Sequence, residues 1–192
     1  MELLDAHRSA LHHFDLRVHA IHPTRWSSPT PDTDWTVRDL VNHLVSEQLW
    51  VPPLLAGSTI AEVGDAFDGD VLGTDPVATW TAASTAARAA WTEPGAVDRT
   101  VQLSFGPTPA RVYLGQMVFD LTVHAWDLAR AIGADENLPN DLVSFVLESS
   151  REEIAKAQGI GLFQPPVETD RCADDLTELL ALTGRRPWKT PW

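Results

Sequence analysis

Cys172 is the single cysteine of the chain, so no disulfide can form within it and no cluster of thiolates can hold a metal. Basic side chains are scarce as well. Lys and Arg number 14 against 27 Asp and Glu, a formal charge of -13 that repels phosphate backbones and anionic membrane surfaces. Neither nucleic acid nor a membrane is an expected partner. No apolar run reaches membrane-spanning length without a charge or a proline. The first residues, MELLDAHRSALHHF, lack the apolar core and small-residue cleavage site of a signal peptide, so a soluble cytoplasmic protein is expected. Repeats and low-complexity segments are missing. No serine sits in a G-x-S-x-G context, which removes support for serine-hydrolase chemistry.

What is present is helical patterning. At 192 residues and 44% hydrophobic content, the chain suits one compact domain with a full core. Leu3, Leu4, Leu11, Phe14, Val18 and Ile21 line one side of a first helix that Pro23 ends. After a loop rich in Pro, Ser, Thr and Asp, Thr36 is the expected N-cap of a second helix, with Asp39 as the reciprocal acid. That helix runs toward Gly57, and Pro52 and Pro53 predict a kink or a restart near Trp50. The aspartate- and glycine-rich stretch 60–74 reads as a surface loop whose acid spacing does not fit a calcium-binding hand.

Asp75, Pro76 and the following alanines predict a third helix to Trp91. Alternation over Val97, Arg99, Val101, Leu103 and Phe105 predicts a strand or small hairpin. Two further helices are expected, one from Pro109 to Ile132 and one from Pro139 to Gln158. The expected fold is an all-α four-helix bundle over residues 1–158. Residues 159–192 form a tail with a short helix, part of the same domain and packed on the bundle.

The chemistry concentrates at three residues. Asp120 and His124 stand four apart in the apolar run MVFDLTVHAWDLARA, so they share one helix face. His43 interrupts the apolar stretch WTVRDLVNHLVSEQLW and points inward with Leu40, Leu44 and Val51. If the two helices pack together, two imidazoles and a carboxylate converge. This N/O set with an open fourth position suits a catalytic zinc or a similar divalent ion. Each residue could instead be an ordinary polar group satisfied by a neighbour.

Glu47 and Asp127 follow the two histidines at helical spacing and are candidates to orient them or to sit beside the open position. For Glu47, ordinary ion pairing or solvent exposure is the simpler reading, and for Asp127 a pair with Arg130 or a local cap. Trp50 and Trp126 could wall a pocket, although large aromatics on bundle helices are usually core. His12 and His13 point in different directions, and His7, His19 and His22 are expected at the surface or at helix ends. Cys172 lies in the acidic segment ETDRCADD and is a poor candidate for a catalytic thiol.

The segments W35-T-V-R-D-L-V-N-H43 and H124-A-W-D-L-A-R-A-I-G133, with the tail L-L-A-L-T-G-R-R-P187, resemble the DinB-like superfamily. More narrowly, they resemble the mycothiol-dependent maleylpyruvate isomerase-type metal-binding domain family, the tail matching an uncharacterised subgroup. The resemblance implies a DinB-like bundle holding zinc, or sometimes nickel, through His43, Asp120 and His124. It implies that a low-molecular-weight thiol of the mycothiol type, or water, is activated for S-transfer or isomerisation of a small electrophile. A possible homodimer is implied too. The alternative is a non-catalytic sensor or carrier that binds metal and a small ligand. Two departures stand out: the isomerase commonly has glutamate where Asp120 stands, and it carries a further carboxy-terminal domain where this chain has a short tail.

Overall fold

The computed structural model describes residues 1–32, 34–159, 164–170 and 172–188. Its helices are α1 (Leu3–His19), α2 (Val37–Leu55), α3 (Ile60–Val63), α4 (Pro76–Trp91), α5 (Ala110–Ile132), α6 (Asn140–Gly159) and α7 (Asp175–Leu182). An antiparallel hairpin of β1 (Thr100–Leu103) and β2 (Gly106–Pro109) pairs Thr100 with Pro109 and Leu103 with Gly106. The expected all-α bundle with a small hairpin is therefore observed. Positions 160–163, 171 and 189–192 of the expected tail lie outside the described residues.

The bundle pairs α1 with α5 and α2 with α4, and α2 also crosses α5. α6 lies outside against α5 and α1, and α7 packs on α6. The core forms because apolar side chains recur at helical spacing on the inward faces. Phe14 packs on Trp80 with ring centroids 4.7 Å apart, and the Trp80 indole N–H donates to Asp15 Oδ1 at 2.9 Å. A second apolar cluster at the other end joins Val51 and Leu54 of α2 to Trp91, Tyr113 and Leu114.

Helix ends follow the sequence signals. Thr36 and Asp39 make the full capping box, with Asp39 Oδ2 accepting from Thr36 N at 2.9 Å. Asp75 caps α4 by accepting from Ala78 N, and Pro76 sits at its first turn. Gly133 ends α5 with φ 74°, in the left-handed region that a Cβ disfavours.

Two expectations need correction. α2 does not restart at Pro52 and Pro53: it is helical without a break to Leu55, with the pair in its last turn. Only the carbonyls of Gln48 and Leu49 lose amide partners there, and buried Val51, Leu54 and Leu55 hold the turn in place. His7 is not at the surface. It is fully buried beside Trp91, and its Nδ1 lies 3.2 Å from Arg88 Nη1. Desolvation, aided by the Arg88 charge, lowers its pKa to about 3, so the ring is neutral in the fold. His19 and His22 are exposed as expected.

Segment 57–74 is more than a solvated loop. It contains the short α3 and the fully buried Leu72, and it is strapped along α2 by residues four apart. Arg38 pairs with Asp70 at 2.8 Å, the Asn42 amide donates to Gly69 O at 2.8 Å, and the Ser46 hydroxyl donates to Phe67 O at 3.1 Å. This fixes the exposed face of the helix that carries His43.

Candidate metal centre

α5 is buried on nearly all sides between Leu121 and Ala129, which places its few polar side chains in a low-dielectric setting. Asp120, one turn before His124, faces α2. Its carboxylate bridges the two histidines: Oδ2 accepts from His43 Nε2 at 2.8 Å, and Oδ1 lies 3.3 Å from His124 Nε2. The two imidazole rings are 5.5 Å apart and inclined at 77°. One ligand atom from each of the three residues lies within 4.8 Å of the others, so this group could hold a metal ion. The sequence expectation that His43, Asp120 and His124 come together is met by the geometry. His124 is buried, whereas the side chains of His43 and Asp120 keep about a third of their surface, 30% and 29%, so the cluster opens on one side.

The electrostatics of the cluster are those of alternating charges. Burial would lower the His124 pKa, but Asp120 and then Asp127 overcome this and raise it to about 10. Burial works upward on Asp120 and is outweighed by His124 and His43, which hold it well below the usual carboxylate range. His43 is raised, the loss from burial being offset by Asp120. Without a metal, protons on the imidazoles neutralise the carboxylates.

Asp127 does not pair with Arg130. It is fully buried, and its Oδ2 accepts from His124 Nδ1 at 2.9 Å and from Arg185 Nη2 at 2.8 Å. The reason is helical phase: Asp127 follows His124 by three and faces inward. Arg130 sits on the outer side, stacked 4.4 Å over Trp126 and bound to Glu136. With Nδ1–H donated to Asp127, Nε2 is the nitrogen turned toward Asp120 and His43.

Glu47 lies one turn after His43 on α2. Among the described residues its carboxyl has neither a hydrogen bond nor an ion pair, so of the two simpler readings ion pairing is not observed, while the side chain is partly exposed. Burial, then repulsion from Asp120, raises its pKa, with His43 opposing. The aromatic wall is Trp35, not Trp50 or Trp126. The Trp35 ring lies 5.0 Å from that of His43 and stacks at 5.7 Å and 29° on that of His124. Trp50 packs instead on Phe67, and Trp126 is core. Trp35 is placed by hydrogen bonds that hook segment 26–37 onto the start of α2, among them Thr30 N to Trp35 O at 3.0 Å and Val37 N to Ser28 O at 2.9 Å. Its position directly before the Thr36 cap was the available signal.

These residues fall within the span that matches a known family. The profile of the mycothiol maleylpyruvate isomerase N-terminal domain matches residues 7–129. The chain belongs to that family. An uncharacterized protein of Mycobacterium tuberculosis, recorded in two strains, is 31% identical over 96% of this chain and 100% of its own length. Two solved structures share the fold. One is the mycothiol-dependent maleylpyruvate isomerase, with 16% identity and TM-score 0.61 over 80% of this chain and 70% of that one. The other is a histidine-to-alanine mutant of such an isomerase, with 18% identity and TM-score 0.66 over 91% and 78%. The family's fold agrees with the DinB-like bundle expected from sequence. No helix among the described residues is long and apolar enough to cross a membrane.

Proposed function

We propose that the protein is a divalent-metal-dependent enzyme that activates a low-molecular-weight thiol, of the mycothiol type, for isomerisation of or S-transfer to a small electrophile. The observation that carries this reading is the convergence of His43, Asp120 and His124 on one partly open point. The donor set fits zinc, with nickel as a second candidate. Each residue offers one ligand atom, the three atoms lie within 4.8 Å of one another, and a nitrogen–carboxylate donor set of this kind is one that divalent zinc takes. Two neutral imidazoles and one carboxylate would hold the ion. When bound, it supplies net positive charge that favours a thiolate over a thiol at neutral pH.

The chain's own residues supply the rest. Asp127 fixes the His124 ring so that Nε2 faces the centre. Trp35 covers both imidazoles and excludes water from that side. Glu47, half-buried and unpaired, receives the proton released when the thiol ionises and returns it later. For isomerisation, the sulfur adds to an activated carbon–carbon double bond, rotation follows about the resulting single bond, and expulsion of the same sulfur restores the double bond. The thiol is regenerated and nothing is oxidised or reduced. Support for a thiol, as against water, comes from the isomerase that shares the fold and from the family match. The proposal includes a cytoplasmic location and a homodimer, the latter checked by light scattering.

The test is elemental analysis of tag-free protein together with thiol-dependent turnover. About one equivalent of a divalent ion in the parent, and little in His43→Ala or His124→Ala variants that remain folded, is the expected result. Unchanged metal content in both variants would overturn the site. Metal and ligand binding without turnover over a panel of thiols and electrophiles would move the reading to a carrier or sensor.

A further inference from the structure

The carboxylates of Asp32 and Asp127 and the ring of His124 also approach within 4.8 Å, a second grouping with metal-like spacing. A cation already sits there. Arg185 Nη2 donates to Asp127 Oδ2 and to Asp32 Oδ2, each at 2.8 Å, while its Nε reaches Asp127 Oδ1 at 3.3 Å. The guanidinium thus grips Asp127 with two nitrogens, the geometry that fixes a carboxylate in plane. Arg185 is 8% exposed and Asp127 fully buried, so each depends on the other for its charge balance.

Arg185 comes from the tail, outside the span that matches the family. Its placement is built by the chain. α7 ends in a Schellman turn in which Arg185 N donates to Leu180 O at 2.8 Å and Gly184 N to Ala181 O at 3.1 Å. Gly184 has φ 81°, and a Cβ there would lie 2.5 Å from Gln164 Cβ, so both conformation and space call for glycine. Arg130 of α5 then holds the tail from the far side, donating to the carbonyls of Arg186 at 3.1 Å and Pro187 at 2.7 Å. Gln158 of α6 donates to Leu182 O at 2.5 Å, and Ser144 bonds Asp175.

We propose that Arg185 is a positioning residue of the centre: by fixing Asp127 it fixes the ring of His124, so the tail must be docked for the centre to bind metal at full strength. The inference rests on the reading of His43, Asp120 and His124 as the metal ligands. Asp32, in the segment that also carries Trp35, accepts from the same guanidinium nitrogen. One tail residue therefore ties together the loop, the central helix and the histidine.

The experiment compares parent, Arg185→Gln, Arg185→Lys and Arg186→Ala by chelator competition for zinc, with circular dichroism on each. Arg186 is exposed and lends only its carbonyl to the network. Loss of a partner of this kind weakens metal binding by about 10- to 100-fold, which is expected for Arg185→Gln. Arg185→Lys is expected to recover part of the loss and Arg186→Ala to show none. Affinity within twofold of the parent in a folded Arg185→Gln protein overturns the inference. If Arg185→Gln does not fold, Arg130→Gln replaces it, because it frees the tail without touching Asp127, and a smaller loss in the same direction is expected. A parent that binds no metal sinks the metal reading itself. The positioning role is then judged on metal-free protein, by exchange of the His124 Nδ1 proton with solvent. Slow exchange in the parent and fast exchange in the variant supports it, and equal protection overturns it.

Discussion

Asp120 of α5 accepts a hydrogen bond from His43 of α2 at 2.8 Å, joining residues 77 apart in the chain. That bond has a consequence for metal uptake. His43 and His124 both have raised affinity for protons in the metal-free protein, that of His124 reaching a pKa of about 10. A metal needs the neutral imidazoles, so binding at pH 7 is expected to release the proton of His124, with a further contribution from His43, and to tighten as pH rises. Calorimetry in buffers of different ionisation enthalpy measures the release. A heat independent of buffer would mean that no proton leaves the histidines on binding. The same shifts carry a stability effect without metal. The contribution of His124 is fully present below about pH 6.5, its unfolded value, and is lost as pH climbs through about 10.

Glu47→Gln keeps the size and polarity of the side chain but cannot carry a proton. With Glu47 as the proton acceptor, kcat for a thiol-dependent reaction is expected to fall by about 100-fold or more while metal content is unchanged. A variant with parental kcat would remove Glu47 from the mechanism. One with reduced metal content would make it a ligand.

His7, buried beside Trp91, gives the fold an acid-sensitive point outside the histidine pair. Its pKa is about 3 when buried and about 6.5 when the chain unfolds. The unfolded chain therefore takes up a proton that the native one refuses, and stability falls as pH drops from about 6.5 toward 3. The slope is at most about 1.4 kcal/mol per pH unit. In His7→Leu this part of the acid limb is expected to flatten, measured by urea unfolding at a series of pH values. An unchanged limb would place the sensitivity elsewhere.

Gly184→Ala forces a Cβ into the left-handed turn and against Gln164. A loss of about 1–2 kcal/mol is expected from the conformation alone, with the contact adding to it. Thermal unfolding reads the total. A Tm equal to that of the parent would show that the turn relaxes freely.

Much of this was legible in the chain. The capping box at Thr36 and Asp39, the Asp75-Pro76 start and the helical spacing of Asp120 and His124 are local, and local rules governed them. Pro52 and Pro53 do not end α2, because each removes one helical hydrogen bond while the buried side chains of Val51, Leu54 and Leu55 hold the turn by packing that local rules do not show. His7 misled because one imidazole at an apolar spacing does not reveal whether its face meets solvent or Trp91.

The sequence by itself determined the helices, their caps and the one face that presents an acid and a histidine together, since these depend on neighbours within a turn or two. Only the tertiary structure decided that His43 meets Asp120, that Trp35 covers the pair and that Arg185 reaches Asp127 across 58 positions. Those contacts depend on how helices cross and where a tail docks, and packing sets such distances between residues that share no local pattern.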